Sequence, residues 1–160
     1  MTVLSVDKDF ETLTLTLTAE FEAPIERVWE LWEDPRKLER WWGPPQYPAT
    51  FQTYEFNPGG DVAYFMTSPE GEKYHSYWTF TAINPPKSLE FNDGFSHPDG
   101  TPNTEMPTTT AAVELSEHDG KTRMVMRSTT GSRDHMDTLI SMGMIEGLKG
   151  AVGQMDELLA

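Results

Sequence analysis

The chain contains no cysteine, which excludes a disulfide framework and any thiolate-bound metal centre. Basic residues are scarce: 12 Lys and Arg stand against 26 Asp and Glu, a formal net charge of -14. Such a surplus repels phosphate backbones and anionic lipid surfaces unless a local basic patch overcomes it, and the sequence has no such patch. No apolar run approaches the ~18 residues that suggest a membrane-spanning helix. The opening MTVLSVDKDFE has neither the basic start nor the apolar stretch of a targeting signal, so a cytoplasmic protein is expected. Catalytic signatures are also missing: there is no G-x-S-x-G turn, no Walker-type glycine loop, no H-E-x-x-H and no dinucleotide fingerprint. His75, His97, His118 and His135 show no metal-ligand spacing, and no cofactor is expected. At 160 residues the chain has room for one sizeable core, and a single domain over 1–160 is the simplest organisation.

What is present is patterned. In DFETLTLTLTAEFEAP, Leu13, Leu15 and Leu17 alternate with threonines, the period of a half-buried strand. The period then changes. Pro24 suits a first helical position, and Ile25, Val28, Trp29 and Trp32 follow on one face of an amphipathic helix. Asp34-Pro35 starts a second helix, with Leu38, Trp41 and Trp42 on one face and Gly43-Pro44-Pro45 forbidding continuation. A helix of two turns falls far short of the ~12–15 residues at which isolated helices become marginal. Burial must therefore hold it. Two indoles of ~200 Å² each, at ~25 cal/mol per Å², supply at most ~10 kcal/mol. Helix anchoring is thus the first reading of the tryptophan pair, with an exposed recognition patch as the alternative.

From Thr50 to Thr130 short alternating runs are punctuated by Asn57-Pro58-Gly59-Gly60, Ser68-Pro69-Glu70-Gly71, Asn84-Pro85-Pro86-Lys87 and His118-Asp119-Gly120-Lys121, the pattern of an antiparallel meander. The inward rows are aromatic and rich in Met: Val62, Tyr64 and Met66; Tyr74, Ser76, Trp78 and Phe80; Ala111, Val113 and Leu115; Met124 and Met126. Asn92 to Pro107 reads as one long loop, either a lid or a plain connector. After Gly131, Ile140, Met144, Leu148, Ala151, Met155 and Leu158 form the stripe of a long terminal helix. Gly143, Gly147, Gly150 and Gly153 weaken that helix by ~1 kcal/mol each, so close approach to the sheet or room for a ligand is their expected use. Asp134, His135 and Asp137 are the one dense ionisable group near the expected cavity mouth, better read as a helix start capped by Ser132 or Asp134 than as acid–base machinery.

Strand, two short helices, six-strand meander and long terminal helix make an α+β helix-grip layout of about seven strands. Within it FEAPIERVWELWEDPRKLERWWGP resembles the opening of the activator of heat-shock protein 90 ATPase homologue (AHSA-like) family, in the START-like SRPBCC superfamily. FNPGGDVAYF, SPEGEKY, INPPKSLEF and MGMIEGLKGAVGQMDELL are similar to further family motifs in register, so the resemblance spans about residues 10–160. It implies a START-like, birch-pollen-allergen-like fold: a curved sheet gripping the C-terminal helix around a cavity that often holds apolar ligands. One departure is Trp78, where many members have a small glycine; the indole either fills the cavity or stacks on a flat ligand.

A curved sheet and a straight helix touch best at their ends. A cavity lined by Tyr64, Met66, Trp78, Phe80, Met126, Met144 and Leu148 is therefore expected, admitting a small apolar or aromatic molecule. A non-catalytic ligand binder is the favoured function, with a chaperone co-factor linked to stress response and a cyclase- or hydrolase-type enzyme as alternatives. The charge balance generates a first prediction: random duplex DNA or RNA should show no binding at physiological salt. Micromolar, salt-sensitive association in a filter or anisotropy assay would reveal a basic face that the sequence does not display.

Overall fold

The computed structural model describes residues 3–160. Met1 and Thr2, the first part of the stretch read for a targeting signal, lie outside the described residues. Eight strands form one antiparallel sheet: β1 (Val3–Asp9), β2 (Thr14–Phe21), β3 (Ala49–Tyr54), β4 (Asp61–Thr67), β5 (Lys73–Asn84), β6 (Ser88–Phe95), β7 (Thr109–His118) and β8 (Lys121–Thr129). Their order across the sheet is β1-β2-β8-β7-β6-β5-β4-β3. Helices α1 (Ile25–Glu33) and α2 (Pro35–Leu38) carry the chain from β2 to the far edge. The C-terminal segment follows as α3 (Arg133–Ser141), α4 (Met144–Gly153) and α5 (Met155–Leu159). This is the helix-grip architecture, and no helix among the described residues is long and apolar enough to cross a membrane.

Two expectations need correction. The sheet has eight strands rather than seven, because β1 precedes the expected first strand and pairs with it. The turn between them is built on Asp9, whose carboxylate accepts from the backbone N–H of Glu11 at 2.9 Å and Thr12 at 3.2 Å. Leu13, expected within a strand, takes a left-handed φ of 58° there. The terminal helix is also not continuous. Gly143 has φ 88°, which only glycine adopts cheaply, and it ends α3 before α4 begins. The interruption shifts the apolar stripe: Ala151, Met155 and Leu159 are buried, whereas Ile140 and Leu158 are only partly so.

The expected inward rows face the core except at one end, where Met66 and Ser76 are only partly buried and Tyr74 is exposed. Val62, Tyr64, Trp78, Phe80, Ala111, Val113, Leu115, Met124 and Met126 are all buried. Turn chemistry fixes their register, most clearly at Asp119 (φ 53°) and Gly120 (φ 78°), where consecutive positive angles give the tight reversal between β7 and β8.

Helix α2 is a single turn, yet it is held from several sides. Asp34 caps it through the Arg36 N–H at 2.9 Å. Arg36 donates to the Phe51 carbonyl at 2.7 Å while Glu39 accepts from the Phe51 N–H at 2.7 Å, so the pair brackets one residue of edge strand β3. That bracket satisfies backbone groups which an edge strand otherwise leaves open. Trp41 is fully buried and Trp42 nearly so. The Trp41 indole donates to the Leu31 carbonyl at 2.9 Å and meets Trp32 edge-on at 4.8 Å. Trp42 meets Trp78 edge-on at 4.9 Å. Both tryptophans are therefore anchors, not an exposed patch.

Trp41→Ala should cost about 3–5 kcal/mol, since it opens a cavity and leaves the buried Leu31 carbonyl without its donor. Urea denaturation of the variant and the parent measures this directly. A loss below about 1 kcal/mol would contradict the anchoring role.

Candidate functional site

Above the tryptophan cluster lies a pocket of about 270 Å³ between the sheet and helices α3 and α4. Four strands supply its sheet wall, β7 through Thr109 alone. Tyr64 and Met66 come from β4, Tyr74 and Ser76 from β5, and Asp93 and Phe95 from β6. Strand pairing aligns them: Tyr64 is opposite Ser76, Ser76 opposite Phe95, and Asp93 lies between Trp78 on one side and Thr109 on the other. Trp42 and Pro44 close one side, and Leu139, Met144, Gly147, Leu148 and Ala151 form the helical roof. A wider vestibule of about 720 Å³ shares Pro44, Met66, Tyr74, Phe95 and Gly147 with the pocket, and Tyr47, Met142 and Glu146 border it. Tyr47, Tyr74 and Met142 are exposed apolar side chains, and all three border this vestibule.

The helix glycines serve the GPP turn more than the sheet. A Cβ on Gly150 would lie 3.3 Å from Pro45, and one on Gly147 would lie 3.7 Å from Pro44. The Gln154 side chain donates to the carbonyls of Trp41 at 3.2 Å and Gly43 at 2.7 Å, tying the end of α4 to the same turn. Gly43 has no alternative, because a Cβ there would collide with the Tyr47 carbonyl at 2.1 Å.

Of the residues expected to line a cavity, Tyr64, Met66, Met144 and Leu148 border this pocket. Trp78, Phe80 and Met126 do not. Trp78 is completely buried, stacked on Phe91 at 4.1 Å with an interplanar angle of 21°, so it fills the core beneath the pocket. Phe80 continues that packing at 6.2 Å from Trp78, and Met126 is buried in β8. The residues that sequence reasoning missed are chiefly Asp93, Ser76, Trp42, Phe95 and Gly147. The long loop expected from Asn92 to Pro107 begins later, because β6 runs through Asn92-Asp93-Gly94 to Phe95. Tyr77, the cross-strand partner of Gly94, lays its ring where a Cβ would be, at 2.6 Å, which lets a glycine stand in mid-strand. The signal was the alternation Leu89, Phe91, Asp93, Phe95, which carries Asp93 inward.

Asp93 is the electrostatic feature of the site. Burial alone pushes its carboxyl from 3.8 up to about 7. Its residual accessibility is that of a group facing a hollow. The buried Tyr64 hydroxyl is held above its ordinary value, by burial first and then by the Asp93 charge. The indole N–H groups of Trp42 and Trp78 are buried without a partner within bonding range, and both lie toward the Tyr64 oxygen. His135 sits apart, in a cleft of about 310 Å³ bordered by Phe95, Pro107, Leu139 and Met142. Both its ring nitrogens lack partners, and burial holds its pKa below the ordinary value. Asp134 and Asp137 are exposed and make no bond to it. Ser132 is the cap, accepting from the His135 N–H at 3.1 Å. The three residues therefore do not converge as acid–base machinery.

A curved antiparallel sheet closed by a C-terminal helical segment defines a helix-grip protein of the START-like SRPBCC class. More narrowly, the chain belongs to the family described as "Activator of Hsp90 ATPase homolog 1-like protein", whose model matches residues 22–160. It is similar to protein Ms6760 from Mycobacterium smegmatis, with 47% identity over 99% of this chain and 97% of that one, TM-score 0.92. A protein from Arthrobacter aurescens is 50% identical over 99% of this chain and 92% of its own, TM-score 0.94. The AHSA1 protein from Silicibacter pomeroyi, at 22% identity over 91% and 96% of the two chains and TM-score 0.74, shares the fold. No curated protein matches the chain.

The raised Asp93 pKa has a sign that can be checked. Between about pH 4 and pH 7 the folded carboxyl keeps its proton while the unfolded one has lost it, so stability falls as pH rises through that window and levels off above it. Three pKa units bound the effect at about 4 kcal/mol. In urea melts, the stability of the parent relative to Asp93→Asn should fall by about 2–4 kcal/mol between pH 4.5 and pH 8. A difference independent of pH would mean that the carboxyl ionises as it does in water.

Proposed function

We propose that the protein binds a small, mainly apolar molecule in the pocket between its sheet and helix α4, reached through the vestibule. The observation that carries this reading is the hollow of about 270 Å³ with a predominantly apolar lining and a few polar side chains, Asp93, Ser76 and Thr109, on its walls. Interiors of folded proteins are close-packed, so a space of this size that opens to a wider vestibule is the default ligand site. Met66 and Met144, unbranched and adaptable, suit a wall that accommodates more than one shape. The chaperone role in the family's description and an enzymatic role both remain outside this reading, because no observation in the pocket specifically favours either.

Gly147 borders both the pocket and the vestibule, so a side chain placed there narrows the passage between them. The Cβ itself meets only Pro44, at an ordinary 3.7 Å, and replacing a mid-helix glycine gains up to about 1 kcal/mol in helix propensity. Gly147→Leu should therefore retain or raise the melting temperature while weakening the binding of apolar probes by about 10-fold or more. The readout is tryptophan emission and thermal shift with a panel of aromatic and aliphatic probes, since Trp42 lies in the pocket wall. If the parent protein responded to none of them, the binding reading would fail.

A further inference from the structure

The pocket holds a carboxyl for which the protein supplies no counter-charge. The ion pairs among the described residues, Arg36–Glu39, Lys37–Glu30, Lys121–Glu22, Arg123–Glu20 and Arg127–Glu114, leave Asp93 out. Neither the pocket nor the vestibule is bordered by any Lys or Arg. Instead, Trp42, Tyr64, Tyr74 and Phe95 contribute aromatic rings to the pocket wall, and Tyr64 lies close enough to Asp93 to feel its charge. Resting on the reading that this pocket holds a ligand, we infer that the ligand is an amphiphilic amine, with its ammonium group against Asp93 and its apolar body along Met66, Phe95, Met144 and Leu148.

Four arguments converge on a cation. A carboxylate held away from water without a partner is costly, and a positive ligand group restores the missing half of the pair. Aromatic faces attract a desolvated cation through their quadrupoles, so the ring-lined wall that disfavours an anion favours an ammonium. Hydroxyls of Ser76 on β5 and Thr109 on β7 flank the Asp93 strand and offer further acceptors to an ammonium, which has three donors and no acceptor. The chain's net charge of -14 adds a long-range field that draws cations and repels carboxylates. A neutral apolar ligand would leave the carboxyl unmatched, and an anionic one would meet it directly.

The test uses three probes with the same apolar body: phenylpropylamine, phenylpropanol and phenylpropionate, measured by titration calorimetry on the full chain at roughly pH 8.5 and pH 5.5. At the higher pH the amine should bind ~10-fold or more tighter than the alcohol, with the propionate weakest. The advantage should shrink at the lower pH, where the amine stays protonated but Asp93 takes up a proton. Tyr64 and Tyr74, the other ionisable groups in the pocket wall, both have raised values and stay neutral across this range. Glu146 in the vestibule and Asp134 and His135 in the adjoining cleft are the remaining titratable neighbours. Asp93→Asn should bring the amine to within ~2-fold of the alcohol, whereas Asp137→Asn, an exposed acid on α3, should keep the preference. If Asp93→Asn does not fold, the pH dependence of the parent decides alone. An alcohol that binds as tightly as the amine at both pH values, or a propionate that binds tightest, overturns the amine assignment and leaves the pocket standing. Binding of none of the three overturns the pocket reading together with it.

Discussion

The five residues Trp41-Trp42-Gly43-Pro44-Pro45 are the constraint on which the rest of the structure depends. Trp41 ties them to α1 through the Leu31 carbonyl, and Trp42 ties them to the sheet through Trp78. Gly43 lets the chain reverse against Tyr47 and Ala49 without a collision. Gln154 then fastens the far end of α4 to two carbonyls of the same turn, and Pro44 and Pro45 meet Gly147 and Gly150. One short segment thus touches the first helices, the sheet and the C-terminal segment. Stability and pocket shape have a common origin there, because the indole that packs against the core is also a wall of the pocket.

That arrangement explains why a hollow exists at all. Helix α4 passes close to Pro44 and Pro45 at Gly147 and Gly150, so along the pocket the GPP turn helps set its distance from the sheet, while Ala151 and Val152 pack into the core beyond it. Below the pocket, Trp78, Phe91, Phe80 and Phe51 pack ring against ring. Beyond it, Val152, Met155 and Leu159 close the core again. The left-handed Gly143 contributes from the other side, because it lets α3 and α4 change direction where the vestibule opens.

The architecture was legible because its signals are local and repetitive. Alternation placed the inward rows, Asp119-Gly120 placed a hairpin, and Asp34-Pro35 placed the start of α2 at its capping residue. What was not legible depends on partners far along the chain. Nothing near Trp78 says that Phe91 will stack on it, so an indole expected on a cavity wall proved to be core. Asn92-Asp93-Gly94 has turn composition, yet the Tyr77 ring covering Gly94 and the pairing with β7 hold it in a strand. The interrupted terminal helix was hidden similarly: four glycines announced weakness, but only Gly143 adopts a positive φ. Asp93 and its neighbours in the pocket wall depend on such long-range agreements, which a periodic pattern cannot express.

The distribution of unmet polar groups separates the pocket from the rest of the core. Elsewhere buried groups find partners, as Thr122 does in donating to the Ala23 carbonyl at 2.7 Å and Trp41 does in donating to Leu31 at 2.9 Å. The unpartnered ones are few: the Trp42 indole in the pocket wall and the Trp78 indole in the core beneath it, both directed toward the Tyr64 oxygen, the His135 ring in the neighbouring cleft and the Trp32 indole in the packed core, while the Asp93 carboxyl on the pocket wall has no ion-pair partner. Each carries a desolvation cost that the fold does not offset. A hydrophobic residue at position 93 would continue the row of Leu89 and Phe91 and remove that cost, so the carboxyl makes no sense as packing. It does make sense as one half of an interaction whose other half arrives from outside, and the surrounding wall, apolar and aromatic without a basic side chain, is what makes a charge of opposite sign the fitting complement.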